Sequence, residues 1–250
     1  MADDNQVKSL ARAMQVLECF SVEQPEMGPS EIAKMLGMQK STVYNILSTF
    51  QRLGYLMKNP DTSKYCLGMK VLHLSYIVNS HHGMRDLFLP YLTRIAQETR
   101  EVCYFGILNE NEVLYIESTY PSSQQPTRNI LGERAPLYCT GIGKAMLAYL
   151  PEEQIDAVVH GRLKAYTSFT MTDPAILLHH LEEIRQNGYA VDNMEHEFGI
   201  RCVALPVFNA AGKVFAAVSV SGPSPRFDPA TLINDARIIS GILEPLQRIV

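Results

Sequence analysis

The sequence has no apolar run as long as the roughly 18 residues that a membrane-spanning helix needs. Its first residues, MADDNQ, are polar and acidic rather than apolar, so no signal peptide is expected. We therefore predict a cytoplasmic chain without a membrane partner. With 250 residues, of which 46% are hydrophobic, the chain is long enough for about two domains with sizeable cores.

The sequence also lacks paired cysteines. Its cysteines are odd in number and widely spaced, without CxxC or zinc-finger spacing; they are Cys19, Cys66, Cys103, Cys139 and Cys202. This pattern is typical of reduced thiols rather than of a disulfide framework or a structural zinc. Neither a metal site nor a cofactor is predicted.

An excess of positive charge is missing as well. The formal net charge is −4, and residues 1–68 contain seven Lys/Arg and seven Asp/Glu. A nucleic-acid-binding surface would therefore need a local patch of basic side chains rather than a global field. The charge balance is a mild argument against nucleic acid as a partner.

Residues 28–56 carry the most informative pattern. They predict a helix, a tight turn at Leu36-Gly37-Met38 and a second helix, with Gly28, Pro29 and Glu31 at the Ncap, N1 and N3 positions of the first. One face of the second helix is apolar, with Val43, Ile46, Leu47 and Phe50 at helical spacing. The other face has no aliphatic side chain and carries Lys40, Ser41, Thr42, Tyr44, Asn45 and Ser48. Such a face suits a recognition helix in a major groove, although a helical hairpin with a solvated face fits this pattern equally well.

The next residues favour the DNA-binding interpretation. Residues 54–58 and 64–68 are strand-like runs around the turn 59–63, which predicts a β-hairpin. A hairpin directly after a recognition helix is the wing of a winged helix. Lys58 and Lys64 at its rims are placed to contact phosphates.

Flanking segments complete the predicted module. Upstream, an apolar stripe predicts a first helix that closes the small core, formed by Val7, Leu10, Met14 and Leu17, with Ala11 as a further member. Residues 1–68 thus have the elements of a winged helix-turn-helix domain. Residues 69–83 are amphipathic and predict a linker helix. The neighbours His81 and His82 do not indicate a metal site, because adjacent side chains on a helix point about 100° apart.

Residues 84–250 predict a second domain of the α+β class with a mainly antiparallel sheet. A helix is expected over 84–99, with core candidates Leu87, Leu89, Leu92, Ile95 and Ala96. Strands are expected over 102–108, 113–118, 202–208 and 214–220. Further helices are expected over 140–150, 151–160 and 173–187, and after Asp228-Pro229. Residues 121–130 are polar and predict a loop.

Enzymatic interpretations have weaker support. The segment GIGKA at 141–145 fails the phosphate-loop pattern, because there is no glycine five residues before Gly143 and Ala145 replaces Ser/Thr. Asp192, Glu195, His196 and Cys202 suggest a Cys-dependent hydrolase or a metal cluster, but nothing in the sequence places the histidine against the thiol. We interpret residues 195–197 as a solvated loop and Cys103 and Cys139 as small core residues, so no catalytic residue is predicted.

Taken together, the motifs resemble the IclR family of bacterial transcriptional regulators over nearly the whole chain. The matching segments occur in the family order and spacing; they are VKSLARAMQVLECF, SEIAKMLGMQKSTVYNILSTFQRLGYL, KYCLGMKVLHL, APLYCTGIGKAMLA and GYAVDNMEHEFGIRCVALPVFNAAGKVFAAVSVSGP. The resemblance implies an N-terminal winged helix, a linker helix and a C-terminal effector domain with a GAF-like or profilin-like sheet. It also implies a homodimer or a homotetramer, as a dimer of dimers, on palindromic operator DNA.

The resemblance further implies an effector pocket, whose positions here are Gly141, Ile142, Asp192, Cys202, Ser219 and Ser221. Backbone amides of Gly141 and Ile142 at a helix start would hold a small carboxylate. Ser219 and Ser221 are two apart on a strand, so their side chains share a face. Taken alone, these serines fit an outward face of an edge strand better. Ile130, Leu131 and Leu137 would set the size of the ligand.

Three functions remain open at this point. The favoured one is a ligand-responsive transcriptional regulator, a repressor, without enzymatic activity. A small-molecule sensor or assembly module without DNA binding fits the neutral charge of residues 1–68, and a Cys-dependent hydrolase is the least favoured. The sequence names neither the effector, the operator nor the regulated pathway.

Overall fold

The computed structural model describes residues 7–80, 83–125 and 130–246. These residues divide into two compact units, one ending at Ser80 and the other beginning at Gly83. His81 and His82, which the sequence places at the end of the linker helix, lie outside the described residues.

The first unit is the predicted winged helix followed by the linker helix. Its helices are α1 (Lys8–Leu17), α2 (Pro29–Leu36), α3 (Lys40–Leu53) and α4 (Lys70–Ser80), and its strands are β1 (Leu56–Lys58) and β2 (Tyr65–Leu67). The strands pair antiparallel, with Met57 opposite Cys66. The hairpin therefore follows α3 directly, as a wing does.

Local residue chemistry sets the bounds of the helical hairpin. The Gly28 amide donates to Glu31 Oε2 at 2.6 Å, which closes the N-terminus of α2. Gly37 ends α2 with a φ of 63°, and Gly54 ends α3 with a φ of 83°. Glycine adopts these left-handed conformations without the penalty that a Cβ atom brings.

The small core of this unit uses a face of α1 that overlaps the expected stripe only at Leu17. Its fully buried residues are Val16, Met27, Ile32, Val43, Leu47, Leu56 and Tyr65, with Ala33 at the margin. Leu10 and Met14 are 61% and 45% exposed, so the stripe predicted to close the core lies largely on the surface. Leu17 of the predicted stripe does pack against the core, next to Val16, which was not predicted and is fully buried.

The second unit is built on a six-stranded antiparallel sheet in the order β5-β4-β3-β8-β7-β6. Its strands are β3 (Val102–Asn109), β4 (Glu112–Thr119), β5 (Arg134–Pro136), β6 (Ala190–Asn193), β7 (Ile200–Phe208) and β8 (Val214–Pro223). Its helices are α5 (Gly83–Thr99), α6 (Gly141–Leu147), α7 (Glu152–Val159), α8 (Pro174–Asn187) and α9 (Pro229–Leu243). The predicted α+β class with a winged helix is confirmed.

Helices cover both faces of this sheet. On one face, α5 and α9 pack over a core that contains Phe88, Phe105 and Ile239. On the other, α6 packs on β7 and β8, and its core includes Ile142, Met146 and Ala204. Alternation along the strands divides residues between the faces, so Cys103 and Val203 point to the first core while Tyr104 and Ala204 point to the second.

Some details of this unit differ from the expectation. On α5 the predicted core residues Leu92, Ile95 and Ala96 are confirmed at 0% exposure, whereas Leu87 is 37% exposed, Leu89 is only half-buried, and Phe88, which was not predicted, is fully buried. The short strands β5 and β6 were not predicted. Each has three or four residues and forms an edge of the sheet, so its pairing rather than its own sequence defines it.

Candidate functional site

The exposed face of α3 is the first candidate site. The five residues predicted to contact DNA from this helix all lie exposed on it; they are Lys40, Ser41, Thr42, Tyr44 and Asn45. Val43 and Leu47 hold the opposite face in the core at 0% exposure. The helix therefore presents two hydroxyls, an amide, a phenol and an ammonium group to a partner.

The two wing lysines have different surroundings. Lys58 on β1 lies over the ring of Tyr65, with Nζ 5.6 Å from the centroid, and its ammonium stays exposed. Lys64 Nζ instead contacts Glu31 Oε1 at 2.8 Å, with both side chains half-exposed. This ion pair lowers the pKa of the Glu31 carboxyl. A phosphate could approach Lys58 directly, whereas Lys64 would first have to leave or share Glu31.

The second unit brings all six predicted pocket residues to one cavity. Across the sheet, Asp192 pairs with Cys202, Cys202 with Ser221, and Ser221 with Val102 of β3. Residues directly opposite one another in a sheet share a face. Ser219 lies two residues before Ser221 on the same face, between Tyr104 and Ala204. Since β8 lies between β3 and β7, the serines belong to the centre of the sheet and not to an edge strand.

The cavity has a volume of about 580 Å³. Besides the six predicted residues, it is lined by aromatic and charged side chains, among them Glu101, Tyr104, Tyr115, Tyr120, Glu133, His196, Glu197 and Arg226. Of the three residues expected to set ligand size, only Ile130 lines it. Leu137 is 1% exposed within the core under α6, and Leu131 is 38% exposed outside the cavity wall.

Residues of β3 and β4 therefore form a wall that the sequence did not indicate. Tyr104 and Tyr115 meet edge to face with their centroids 6.0 Å apart. Their alternation within the strands is visible in the sequence, but only the pairing of β3 with β8 places Tyr104 opposite Ser219, and only the pairing of β3 with β4 brings Tyr115 beside Tyr104. Two aromatic rings facing hydroxyls suit an amphipathic ligand.

The start of α6 forms the wall opposite the strands. Thr140 caps it, since its Oγ1 accepts a hydrogen bond from the Gly143 amide at 3.0 Å. Gly141 and Ile142 both line the cavity. A Cβ atom on Gly141 would overlap Cys202 Sγ, so only glycine lets the helix approach β7 this closely. First-turn amides lack intrahelical acceptors and can donate hydrogen bonds to ligand oxygens.

Asp192 connects the cavity to a buried ionic network. Its Oδ1 accepts a hydrogen bond from the Glu195 amide at 2.7 Å, and the residue is 7% exposed. Burial, with the nearby Glu195 charge, raises the pKa of Asp192 to about 7. The carboxyl can thus hold or release a proton near neutral pH, which permits it to donate to a ligand oxygen.

Glu195 was expected in a solvated loop, and this expectation is wrong. The side chain is 3% exposed and pairs with Lys144, whose Nζ lies 2.5 Å from Glu195 Oε1. Lys144 Nζ also lies 2.7 Å from Val191 O and 3.2 Å from His180 Nε2. A buried ammonium is tolerated here because carboxylate, carbonyl and imidazole acceptors satisfy its three donors.

The cysteine chemistry speaks against a nucleophile. Burial raises the pKa of the Cys202 thiol well above its usual range, with the Asp192 charge adding to the effect. Burial likewise raises the pKa of Cys139 to about 12. A thiolate is the reactive form, so both residues are poor nucleophiles.

One charged pair stands at the end of the cavity where β8 finishes. Arg226, in a short 3-10 turn over Ser224–Arg226, donates from Nε and Nη2 to the two carboxylate oxygens of Glu101, each at 2.6 Å. Glu101 is 6% exposed. The Glu101 charge, after burial, helps to raise the pKa of Asp235 on α9 to about 6.

Among residues 7–80, 83–125 and 130–246, no helix is both long and apolar enough to cross a membrane. The same ranges contain no group of three His, Cys, Asp or Glu side chains arranged to hold a metal ion.

Comparison with known proteins relates both units to described families. Residues 9–60 match the IclR helix-turn-helix domain, and residues 77–240 match the C-terminal domain of the bacterial transcriptional regulator IclR. The HTH-type transcriptional regulator XynR of Escherichia coli (strain K12) is 34% identical over 229 residues, which are 91% of this chain and 91% of that protein. The transcriptional repressor IclR of the same organism is 29% identical and covers 88% of this chain and 82% of its own.

Solved structures extend the likeness to three dimensions. A putative IclR transcriptional regulator from Silicibacter sp. TM1040 superposes with a TM-score of 0.83 at 25% identity, covering 96% of this chain and 95% of that one. An IclR homologue from Microbacterium hydrocarbonoxydans, complexed with 4-hydroxybenzoate, has a TM-score of 0.73 at 26% identity, covering 96% of this chain and 99% of that one.

Proposed function

The chain belongs to the IclR family of bacterial transcriptional regulators, and we propose that it is a repressor that binds palindromic operator DNA and responds to a small organic acid. Its units would divide the work, with DNA read by the first and the acid bound by the second. Such a regulator needs no catalytic residue, and it would act in the cytoplasm, where operator DNA is found.

The observation that carries the proposal is the convergence of Asp192, Cys202, Ser219 and Ser221 on a cavity capped by the start of α6. These predicted pocket residues lie on separate segments of the sequence, and the register of the sheet aligns them on one face. A volume of about 580 Å³ falls within the range of small-molecule sites.

Contacts to the acid follow from the groups present. Its carboxylate would lie between the amides of Gly141 and Ile142 and the hydroxyls of Ser219 and Ser221. Asp192 would accept a ligand hydroxyl, or donate to a ligand oxygen when protonated, and so would not oppose the ligand charge. Tyr104 and Tyr115 supply the apolar wall in place of Leu131 and Leu137.

Reading of operator DNA would fall to the exposed face of α3. Residues 40–45 would enter the major groove, with Thr42 and Asn45 at base edges and Lys40 at phosphates. Lys58 and Lys64 of the wing would contact the flanking backbone. Because residues 1–68 carry no net charge, a single DNA-binding unit would bind DNA weakly. Two such units in a dimer would bind more tightly.

A homodimer is the assembly we propose, with a dimer of dimers as the larger form. The observation behind it is the apolar stripe of α1, where Val7, Leu10 and Met14 are between 45% and 62% exposed. The linker helix α4 likewise exposes Leu72 and Tyr76 at 64% and 70%. Exposed apolar faces of this kind mark protein contacts, and a two-fold dimer matches an inverted repeat.

The test uses the full-length protein. Duplexes selected from a random pool should contain an inverted repeat, and binding should weaken steeply as salt rises because counterions are released. An acid from a panel of small carboxylates should raise the melting temperature and release the selected duplex. Selection of no common sequence would favour a sensor module without DNA binding, while a selected sequence without any acid response would remove the effector part alone.

A further inference from the structure

The wing of the first unit is too small to hold its own position. Strands β1 and β2 have three residues each and pair only with one another in a two-stranded sheet. A hairpin of this size is at best marginally stable by itself in water. Its position relative to α3 therefore depends on contacts with the rest of the unit.

One of these contacts is made by the backbone. The Met27 amide donates to Tyr65 O and the Tyr65 amide donates to Met27 O, each at 2.9 Å. Met27 is 3% exposed and belongs to the core of the unit. The segment between α1 and α2 is thereby fixed along β2, on the side away from β1.

Glu26, directly before Met27, holds the turn of the wing with both carboxylate oxygens. Its Oε1 accepts a hydrogen bond from Asn59 Nδ2 at 2.8 Å, and its Oε2 accepts one from Thr62 Oγ1 at 3.1 Å. The Glu26 side chain is half-buried. Asn59 begins the turn 59–63 and Thr62 lies near its end, so a single carboxylate spans most of the turn.

The same two side chains also shape the turn. Asn59 Oδ1 accepts from the Asp61 amide at 2.9 Å, and Thr62 Oγ1 accepts from the Lys64 amide at 3.3 Å. Ser63 has a φ of 58°, which is uncommon for a residue with a side chain. Such a conformation persists where the surrounding contacts over-determine it. Glu26 therefore holds the wing at the residues that fix its conformation.

We infer that Glu26 is a positioning residue of the DNA-binding unit, which fixes the wing so that its two lysines reach the phosphate backbone without further ordering. The inference rests on the DNA-binding function proposed for this unit. Lys58 lies opposite Tyr65 on β1, and Lys64 directly precedes Tyr65, so both lysines belong to the hairpin that Glu26 anchors. A group that is ordered before binding loses less conformational entropy in the complex.

The sign of the effect separates positioning from charge. Loss of the negative charge of Glu26 would by itself strengthen attraction to phosphates, whereas loss of positioning would weaken binding. Glu26→Ala breaks both contacts and should weaken binding about fivefold and lower the salt slope by about one. Glu26→Gln also removes the charge, but its Oε1 can accept from Asn59 and its Nε2 can donate to Thr62 Oγ1. This variant should bind at least as tightly as the unmodified protein.

The experiment is duplex titration at several salt concentrations with the full-length protein. The probes are the duplex obtained by selection and a scrambled duplex of the same length. Phosphate contacts carry no sequence information, so Glu26→Ala should weaken binding to both probes alike. Asp61→Asn is the matched control and should not weaken binding, because it removes a charge from the same turn and leaves the backbone contact of residue 61 in place.

A second variant tests the same contact without any change of charge. Thr62→Val removes the hydroxyl that donates to Glu26 and keeps the size of the side chain. It should weaken binding in the same direction by about twofold, since one of the two contacts remains. Thermal melting of each variant shows whether the unit stays folded.

A background without the wing lysines separates the wing from the general stability of the unit. In the Lys58→Ala/Lys64→Ala protein, Glu26→Ala should have no further effect on affinity or salt slope, because the contacts that it positions are already absent. An undiminished effect in this background would overturn the inference. Binding by Glu26→Ala as tight as that of the unmodified protein would also overturn it, with DNA recognition by α3 unaffected. If the unmodified protein binds neither duplex, the inference and the proposed DNA-binding function fail together.

Discussion

Lys144 and Glu195 form an ion pair that solvent does not reach: Nζ lies 2.5 Å from Oε1, with the side chains 0% and 3% exposed. Lys144 belongs to α6, whose start lines the cavity, and Glu195 follows β6, whose Asp192 lines the opposite wall. The Glu195 amide also holds Asp192 Oδ1. The buried pair therefore connects α6 to the segment after β6, and so links the two walls of the cavity that these elements form.

The first prediction concerns the strength of this pair. Lys144→Met should lower the free energy of unfolding by about 3–5 kcal/mol, because it leaves the Glu195 carboxylate buried without its partner. The measurement is urea unfolding at neutral pH. Lys144→Met/Glu195→Gln should recover most of the loss, since no buried charge remains.

The control for this prediction is the exposed pair of Arg94 and Glu98 on α5, whose side chains are 66% and 43% exposed. Arg94→Met should cost less than about 1 kcal/mol, because water screens the pair. A Lys144→Met variant as stable as Arg94→Met would contradict the role assigned to the buried pair.

The second prediction concerns pH. The folded protein binds a proton at Asp192 with a pKa raised from 3.8 to about 7, mainly by burial and then by Glu195. Because the folded state binds this proton more tightly than the unfolded chain, the stabilisation is fully present below about pH 4 and is lost as pH rises through about 7. Each unit of raised pKa corresponds to about 1.4 kcal/mol.

Asp192→Asn removes this titration. The difference in unfolding free energy between Asp192→Asn and the unmodified protein should therefore grow in favour of the variant from pH 4 to pH 7 and then level off. Comparing the two proteins cancels the titration of other groups, Asp235 included. A difference that stays constant over this range would show that Asp192 titrates as it does in the unfolded chain.

How much of the structure could be predicted from the sequence differs between the two units for a physical reason. The bounds of α2 and α3 were predictable because they depend on local chemistry, such as the Gly28 cap and the left-handed Gly37. The buried face of α1 was only partly predictable, since Leu17 of the expected stripe packs on the core but tertiary packing fully buries Val16, which lies outside that stripe. Local patterns leave such a choice open.

The cavity was predictable only where the resemblance supplied the residues. Ser219 and Asp192 could be named from it, but their common wall depends on the register of β6, β7 and β8. Tyr104 and Arg226 come from segments far apart in the chain that carried no motif. Their contribution follows from the strand order, in which β3 lies beside β8.

The third prediction concerns DNA. Asn45→Ala should change the preference between operator variants by about 1–3 kcal/mol for the lost base contact. Lys58→Ala should weaken binding to all duplexes alike and lower the salt slope by about one. Electrophoretic titration at several salt concentrations measures both effects. If Asn45→Ala and Thr42→Ala leave discrimination unchanged, α3 does not read bases.

Lys64 calls for a separate comparison, because Glu31 holds it in the free protein. Lys64→Ala should also lower the salt slope, yet Glu31→Gln should tighten binding by releasing the lysine towards phosphate. If Glu31→Gln has no effect on duplex affinity, Lys64 does not contact the backbone, while the assignment of α3 is untouched.

The fourth prediction concerns assembly. Leu10→Glu/Met14→Glu places two charges on the exposed stripe of α1 and should weaken both self-association and binding to the inverted repeat. Sedimentation at micromolar concentration measures the first effect. Arg12→Glu changes the net charge by the same amount at another exposed position of α1 and should leave association intact. A monomeric unmodified protein with full affinity for a single half-site would rule out the proposed dimer.

The last prediction concerns the carboxylate subsite itself. Ser219 is 3% exposed, and Ser221 is half-buried and donates weakly to Arg201 O at 3.4 Å. Ser219→Ala/Ser221→Ala removes one oxygen from each side chain and adds no bulk, so the fold and the operator affinity should persist. The acid-induced release from DNA should be lost, because the hydroxyls that would hold the carboxylate are gone. The measurement is operator binding with and without the acid that stabilises the unmodified protein. Ser240→Ala, on an exposed position of α9, is the matched control and should respond normally. An unchanged response in the double variant would show that the serines do not form the carboxylate subsite, and it would leave the assignment of DNA recognition to α3 unaffected.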